Sequence, residues 1–207
     1  MAKAEVWVSR LMQDSTLIKS FDSDYFSRDP ENALDAMEKV REGIPLPADR
    51  FPKVFYADRT RKLLKKMPDI FLGGGYWIVS GELAEVLRQF DLGRTSFYPT
   101  ELFQYDRKRR IEGEYFCLSF GETKSVFVPE DSRAKLVNPE QDWWFTRVDL
   151  RDDDIAVKQA AITGVDLWID ERVRYGVFFS GRLVDALRAA KLTRRLKLRT
   201  CRVILLH

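Results

Sequence analysis

The sequence is poor in the side chains on which most enzymes depend. Its 207 residues hold 1 histidine, His207, and 2 cysteines, Cys117 and Cys201. A lone histidine at the last printed position leaves no base for a Ser-His-Asp or Cys-His constellation held by a rigid scaffold. It also removes His-based zinc and iron sites. The cysteines form no CxxC pair, and each sits in an apolar run, so they read as buried free thiols of a reducing compartment. No run approaches the roughly 18 apolar residues of a membrane helix. The opening Met-Ala-Lys-Ala-Glu-Val-Trp has no apolar signal core. The expectation is a cytoplasmic chain without a membrane partner, a cofactor, a metal or a catalytic residue.

Excess charge of one sign is missing as well. Lys plus Arg is 35 and Asp plus Glu is 32, a net charge of +3. Basic clusters occur at Arg59 to Lys66, Arg107 to Arg110 and Arg194 to Arg199, beside aromatic strands that would suit a nucleic-acid groove. With so small a net charge, an RNA- or DNA-binding module is the weaker alternative. The Gly73-Gly74-Gly75 run lacks the Lys-Ser or Lys-Thr of a phosphate loop and reads as a turn. Asp152-Asp153-Asp154 lacks calcium-loop spacing and reads as a solvated loop. An enzyme working through carboxylates alone is a second alternative, since the fold sets such pairs.

What is present is globular: 45% hydrophobic and 32% charged, with 14 Phe, 7 Tyr and 5 Trp. A first strand is expected over Glu5 to Leu11 and loop over Asp22 to Pro30. Asp29 caps a helix that carries Pro30 in its first turn and ends at Gly43. Three prolines mark Ile44 to Phe55 as a connector, and a short basic helix is expected over Arg59 to Lys66. Strands follow at Pro68 to Leu72 and Tyr76 to Val79, then a helix from Ser80 to about Phe90 with Gly93 at its C-terminal cap. Short strands at 97–98, 102–105, 114–118 and 125–127 lead to a polar loop, Pro129 to Glu140, and an extended Gln141 to Leu150. The end reads as strands at 166–170 and 173–179, a helix from Ser180 to Ala190, and a last strand over Arg195 to Leu206. The pattern is α+β, with mixed, largely antiparallel sheets.

The strongest signal is self-similarity at an offset of 100 residues. Ser80-Gly81-Glu82-Leu83 and Leu87-Arg88 line up with Ser180-Gly181-Arg182-Leu183 and Leu187-Arg188, and Leu92 with Leu192. An acidic residue opens an apolar triplet upstream of each copy, Asp69 before Ile70-Phe71-Leu72 and Asp166 before Leu167-Trp168-Ile169. The chain is therefore expected to hold two similar strand–helix–strand units in a single domain of two lobes, 1–135 and 136–207. Ser80 and Ser180 read as helix N-caps.

Tyr76 to Pro99, with its Phe97-Tyr98-Pro99 ending, and Val173 to Leu198, with Phe178-Phe179-Ser180, resemble immunity family eleven of bacterial polymorphic-toxin systems. That family was formerly described as a domain of unknown function. The resemblance implies a cytoplasmic antidote that binds and neutralises a cognate toxin protein, and it carries over no catalytic or metal residue. Partner contacts are expected in the parts that are not duplicated. Successive strand residues face opposite ways, so Trp143 and Trp144 cannot share one side. One is an exposed interface anchor, or both are buried with a helix on the far face. Trp143, Trp144, Asp152, Asp153 and Asp154 are the candidate partner-binding residues.

Overall fold

A computed structural model describes residues 5–58 and 63–204. The first half of the chain gives β1 (Val6–Ser9), β2 (Ile18–Lys19), β3 (Phe21–Ser23), α1 (Asp24–Arg28), α2 (Pro30–Arg41), β4 (Val54–Ala57), β5 (Ile70–Gly73), β6 (Tyr76–Ser80), α3 (Gly81–Leu87) and β7 (Ser96–Phe103). The second gives β8 (Tyr115–Ser119), β9 (Thr123–Lys124), β10 (Ala134–Asn138), β11 (Trp143–Thr146), β12 (Ile155–Lys158), β13 (Leu167–Asp170), β14 (Val177–Ser180), α4 (Gly181–Ala189) and β15 (Arg199–Ile204). The class is α+β, as the pattern predicts, with strands dominant.

Two large sheets carry the same plan. The first runs β2-β5-β6-β8-β7-β4-β3 and the second β9-β13-β14-β1-β15-β12. Read in that order, the first five neighbour pairs of each are parallel, antiparallel, antiparallel, antiparallel and parallel. The middle strand of each sheet comes from the other half of the chain. β1 lies between β14 and β15, while β8 lies between β6 and β7. The division expected at residue 135 is therefore not the division of the sheets, since β1 and β9 both belong to the second.

Strand alternation then distributes the core. Tyr76 and Ile78 face α2, where the Tyr76 hydroxyl donates to the Ala33 carbonyl at 3.4 Å. Trp77 and Val79 share one core with Leu83 of α3, Leu183 of α4 and Val177 and Phe179 of the second sheet. The far face of the second sheet, with Val6, Val8, Trp168 and Phe178, forms a separate core with Phe127 and Val157, against which Trp144 packs. Each large, fully buried side chain contributes about 2–3 kcal/mol, against about 1 kcal/mol for a helix cap. Packing holds the sheets, and the caps place the helices.

Several local expectations change. Asp22 to Pro30 is not loop: Phe21–Ser23 is a strand, and the Ser23 hydroxyl accepts from the Phe26 amide at 3.0 Å to start α1. Of the basic helix expected over Arg59 to Lys66, residues 59–62 lie outside the described residues, and Lys66 instead forms a bridge with Glu112. The stretches at 97–98 and 102–103 are one strand, β7. Pro129 to Glu140 contains β10, and β12 has no counterpart among the expected strands. Helix α3 ends with Arg88 as its cap, five positions before Gly93. The final strand begins at Arg199 rather than Arg195.

Candidate functional site

The duplicated residues turn out to be structural. Ser80 Oγ donates to Asp69 at 3.0 Å and accepts from the Leu83 amide at 3.2 Å. Ser180 Oγ donates to Asp166 at 2.5 Å and accepts from the Leu183 amide at 3.3 Å. Both hydroxyls act as N-caps, and each is also fixed by the carboxylate that opens its unit. Cys117 and Cys201 are buried free thiols. Burial pushes both thiols up from their ordinary range, which suppresses the reactive thiolate. Among the described residues no group of three or more His, Cys, Asp or Glu side chains is placed to hold a metal ion.

The unduplicated insert of the second half presents a different chemistry. Strands β10 and β11 form a hairpin with a bulge between Leu136 and Asn138. Its turn is fixed by Asn138, whose side-chain oxygen accepts from the Glu140 and Gln141 amides at 3.0 and 3.2 Å. Asp142 follows in the left-handed region at φ 51° and takes the Trp144 indole N–H at 2.7 Å. Trp144 thereby turns inward onto Phe127, with ring centroids 5.8 Å apart. Trp143 points the other way, under the Arg174 guanidinium at 4.1 Å. Both indoles are half-buried. The segment 172–174 lies along β11, bonded through the Trp144 amide and carbonyl.

That segment supplies the residues the sequence reading passed over. Arg174 stacks on Trp143, lies 5.4 Å from the Tyr175 ring centroid, and pairs with Glu42 at 2.8 Å. Tyr175, at φ 63°, is a bulky residue in a strained backbone region and packs against Phe145 at 5.5 Å. Arg172 pairs with Asp142 at 2.5 Å. Gln13, from the first half, donates to Thr146 Oγ1 at 3.1 Å and ties the two halves beneath this face. Trp, Tyr and Arg side chains held half-buried in fixed geometry are the groups that dominate protein–protein binding energy. The Arg-Val-Arg-Tyr run at 172–175, with its alternation, is the signal that would have found them.

The acidic triplet lies at the other end of the same connection. Asp154 is 6% exposed. It accepts from the Arg151 amide at 2.9 Å and pairs with Arg133 at 3.4 Å, which fixes its turn. Asp152 and Asp153 are exposed and accept from the amide and hydroxyl of Thr200 at 3.0 and 3.2 Å. The structure thus places Trp143 and Trp144 at the start of β11 and the three aspartates where β12 begins, joined by a loop whose tip, Val148, is 86% exposed. A concavity of ≈ 720 Å³ lies elsewhere, along β7 and β8 between Pro52, Pro99 and Phe116. A model described as Immunity protein family (Imm11) matches residues 11–200, and no curated protein matches the chain.

Proposed function

The chain belongs to the Imm11 immunity protein family, and we propose on that basis that it neutralises a cognate toxin of a bacterial polymorphic-toxin system by binding it, without catalysis. The family match over nearly the whole chain carries the reading. The surface of Trp143, Arg174 and Tyr175 supports it, because such an anchor is rigid before it binds. The stacked Arg174 and the backbone-pinned Tyr175 lose little freedom on contact, which lowers the entropic cost of association. We place this encounter in the cytoplasm, where the two buried thiols stay reduced.

The test is co-expression with the toxin encoded beside this chain, read as growth rescue and as a co-purified complex. Rescue with a stable complex is the expected result. Toxicity that persists with no complex formed overturns the reading. Trp143→Ala is expected to weaken the complex by at least about thirtyfold, the scale of a hot-spot residue.

A further inference from the structure

Beyond β11 the chain closes over a small cationic pocket of ≈ 280 Å³. Arg10, Lys197 and Arg199 converge on it, Asp14 is its one carboxylate, and Val148 and Leu150 form an apolar wall. Three cations against one anion leave a local charge of +2. The Asp14 carboxylate is already occupied by Lys197 at 2.5 Å and by Thr16. Lys197 reaches it from a left-handed backbone position, φ 47°, uncommon for a residue with a side chain. The two guanidiniums have no such partner among the described residues. Arg10 bonds the Val148 carbonyl and, at 3.4 Å, the Gln13 side chain. Arg199 bonds the Leu150 and Leu198 carbonyls at 3.0 and 3.3 Å. All of these acceptors are neutral, and the Nε of Arg10 is buried with no partner.

Resting on the toxin-binding reading above, we propose that this pocket receives an aspartate or glutamate side chain of the toxin, presented beside an apolar residue that packs on Val148. A planar carboxylate matches the guanidinium fork and gains short, charge-assisted hydrogen bonds. Asp14 in the wall and the apolar Val148 and Leu150 favour a single negative charge over a phosphate dianion. The exposed Val148 tip stands at the pocket mouth, so the partner needs a hydrophobic neighbour next to its acid. Gln13 lines the pocket and also donates to the Arg174 carbonyl at 3.5 Å. The pocket therefore lies beside the residue that stacks on Trp143. Asp152 and Asp153 do not line it. They pin Thr200, and the Asp153 amide donates to the Thr200 carbonyl at 2.9 Å, so in this arrangement they are positioning residues for Arg199.

Calorimetric titration of the purified toxin encoded beside this chain tests the pocket. Arg199→Glu and Val148→Asp are each expected to raise Kd at least about tenfold, with Arg199→Lys intermediate. The Arg199→Glu effect should shrink as salt rises. Val148 is too exposed for its replacement to unfold the chain, which keeps the test sound if Arg199→Glu proves unstable. Binding of both variants within about twofold of wild type, while Trp143→Ala binds weakly, overturns the pocket and leaves the toxin-binding reading standing. Failure of the wild type to bind overturns both. A short single-stranded RNA that displaces the toxin and is released by Arg199→Glu shows a phosphate site and also overturns the proposal.

Discussion

The two sheets share a strand order and differ in what is laid over them. In the first, the segment between β2 and β4 supplies β3, α1 and α2. In the second, the segment between β9 and β12 supplies the β10–β11 hairpin. Beneath these inserts the correspondence reaches single side chains. Gly81 donates its amide to the Glu114 carbonyl as Gly181 does to Glu5. Arg88 lies over Phe116 at 4.4 Å as Arg188 lies over Trp7 at 4.2 Å. Arg94 pairs with Glu122 at 3.0 Å as Lys197 pairs with Asp14 at 2.5 Å. A helix pair covers one outer face and an aromatic hairpin the other, so the side chains suited to recognition gather where the halves diverge.

The largest effect should come from the exchanged strands. Val8 in β1 and Cys117 in β8 occupy matching positions, paired with Phe178 and Ile78, and both are 0% exposed. An unpaired carboxylate at either site should remove about 4–5 kcal/mol or more, enough to unfold most of a domain of ordinary stability. Val8→Asp and Cys117→Asp should therefore both abolish the cooperative thermal transition. A Val8→Asp chain that keeps a native Trp168 fluorescence spectrum would break the claim that β1 completes the second sheet.

The acids that open the two units should differ. Asp166 is 0% exposed and accepts from Ser180, from the Arg182 Nε at 2.5 Å and from the Asp91 amide at 3.0 Å. Asp69 is partly exposed and accepts from Ser80 at 3.0 Å. Asp166→Ala should cost about 1.5–3 kcal/mol, because it removes the one buried carboxylate on which three donor groups converge, and Asp69→Ala about 0.5–1.5 kcal/mol. Chemical denaturation of the two variants measures the gap, and equal losses would mean that the units are more alike than their contacts imply.

This contrast also separates what the sequence discloses from what it hides. Ser80, Ser180 and Asp29 are legible because a cap is a local bargain between a side-chain oxygen and an amide three residues on. The place of β1 is not legible, since its partners β14 and β15 lie more than 160 residues away in the chain. Strand β10 is hidden by its exposure: Lys135, Leu136 and Val137 all face solvent, so the alternation that marks a half-buried strand is absent. Trp143 was legible as an oddity of composition. Its partners Arg174 and Tyr175 show only as an alternating Arg-Val-Arg-Tyr run, and their pairing with Trp143 is hidden because the bridge between Trp144 and Val173 joins them across a loop. Asp152 to Asp154 drew notice as a charge run, and tertiary bonds to Thr200 and Arg133 decide what they do.

The Asp14 ion pair should weaken in acid. Burial alone would raise the Asp14 carboxyl, but hydrogen bonds from Lys197 and Thr16 outweigh it and hold it at about 2. A folded pKa below the unfolded value means that its stabilisation is complete above about pH 4 and is lost as pH falls toward 2. Asp14→Asn should cost about 1–2 kcal/mol at neutral pH, after allowance for the exposed Lys197. The wild-type and variant stability curves should converge between pH 4 and pH 2. Glu122→Gln, whose partner Arg94 is also exposed, should cost about 0.5–1 kcal/mol. Curves that stay parallel into acid would show that Asp14 is not held by its charge.

The smallest difference lies at the helix ends. Helix α4 closes with the Lys191 amide on the Arg188 carbonyl at 2.9 Å and the Leu192 amide on the Leu187 carbonyl at 2.8 Å. This is the pattern that places a left-handed residue just past the cap, and Lys191 sits there at φ 60°. Helix α3 ends without it and reaches its left-handed residue only at Gly93, φ 54°, where an added Cβ would lie 2.5 Å from the Glu122 carboxyl carbon. Lys191→Gly should therefore stabilise the chain by about 0.5–1 kcal/mol, since glycine removes the left-handed penalty without disturbing the two bonds. Gly93→Ala should destabilise it by a comparable amount or more, because the Glu122 side chain must move. Thermal melts of both variants give opposite signs if the ends differ as described. A loss of stability in Lys191→Gly would show that the lysine stem, not the backbone angle, secures the end of α4.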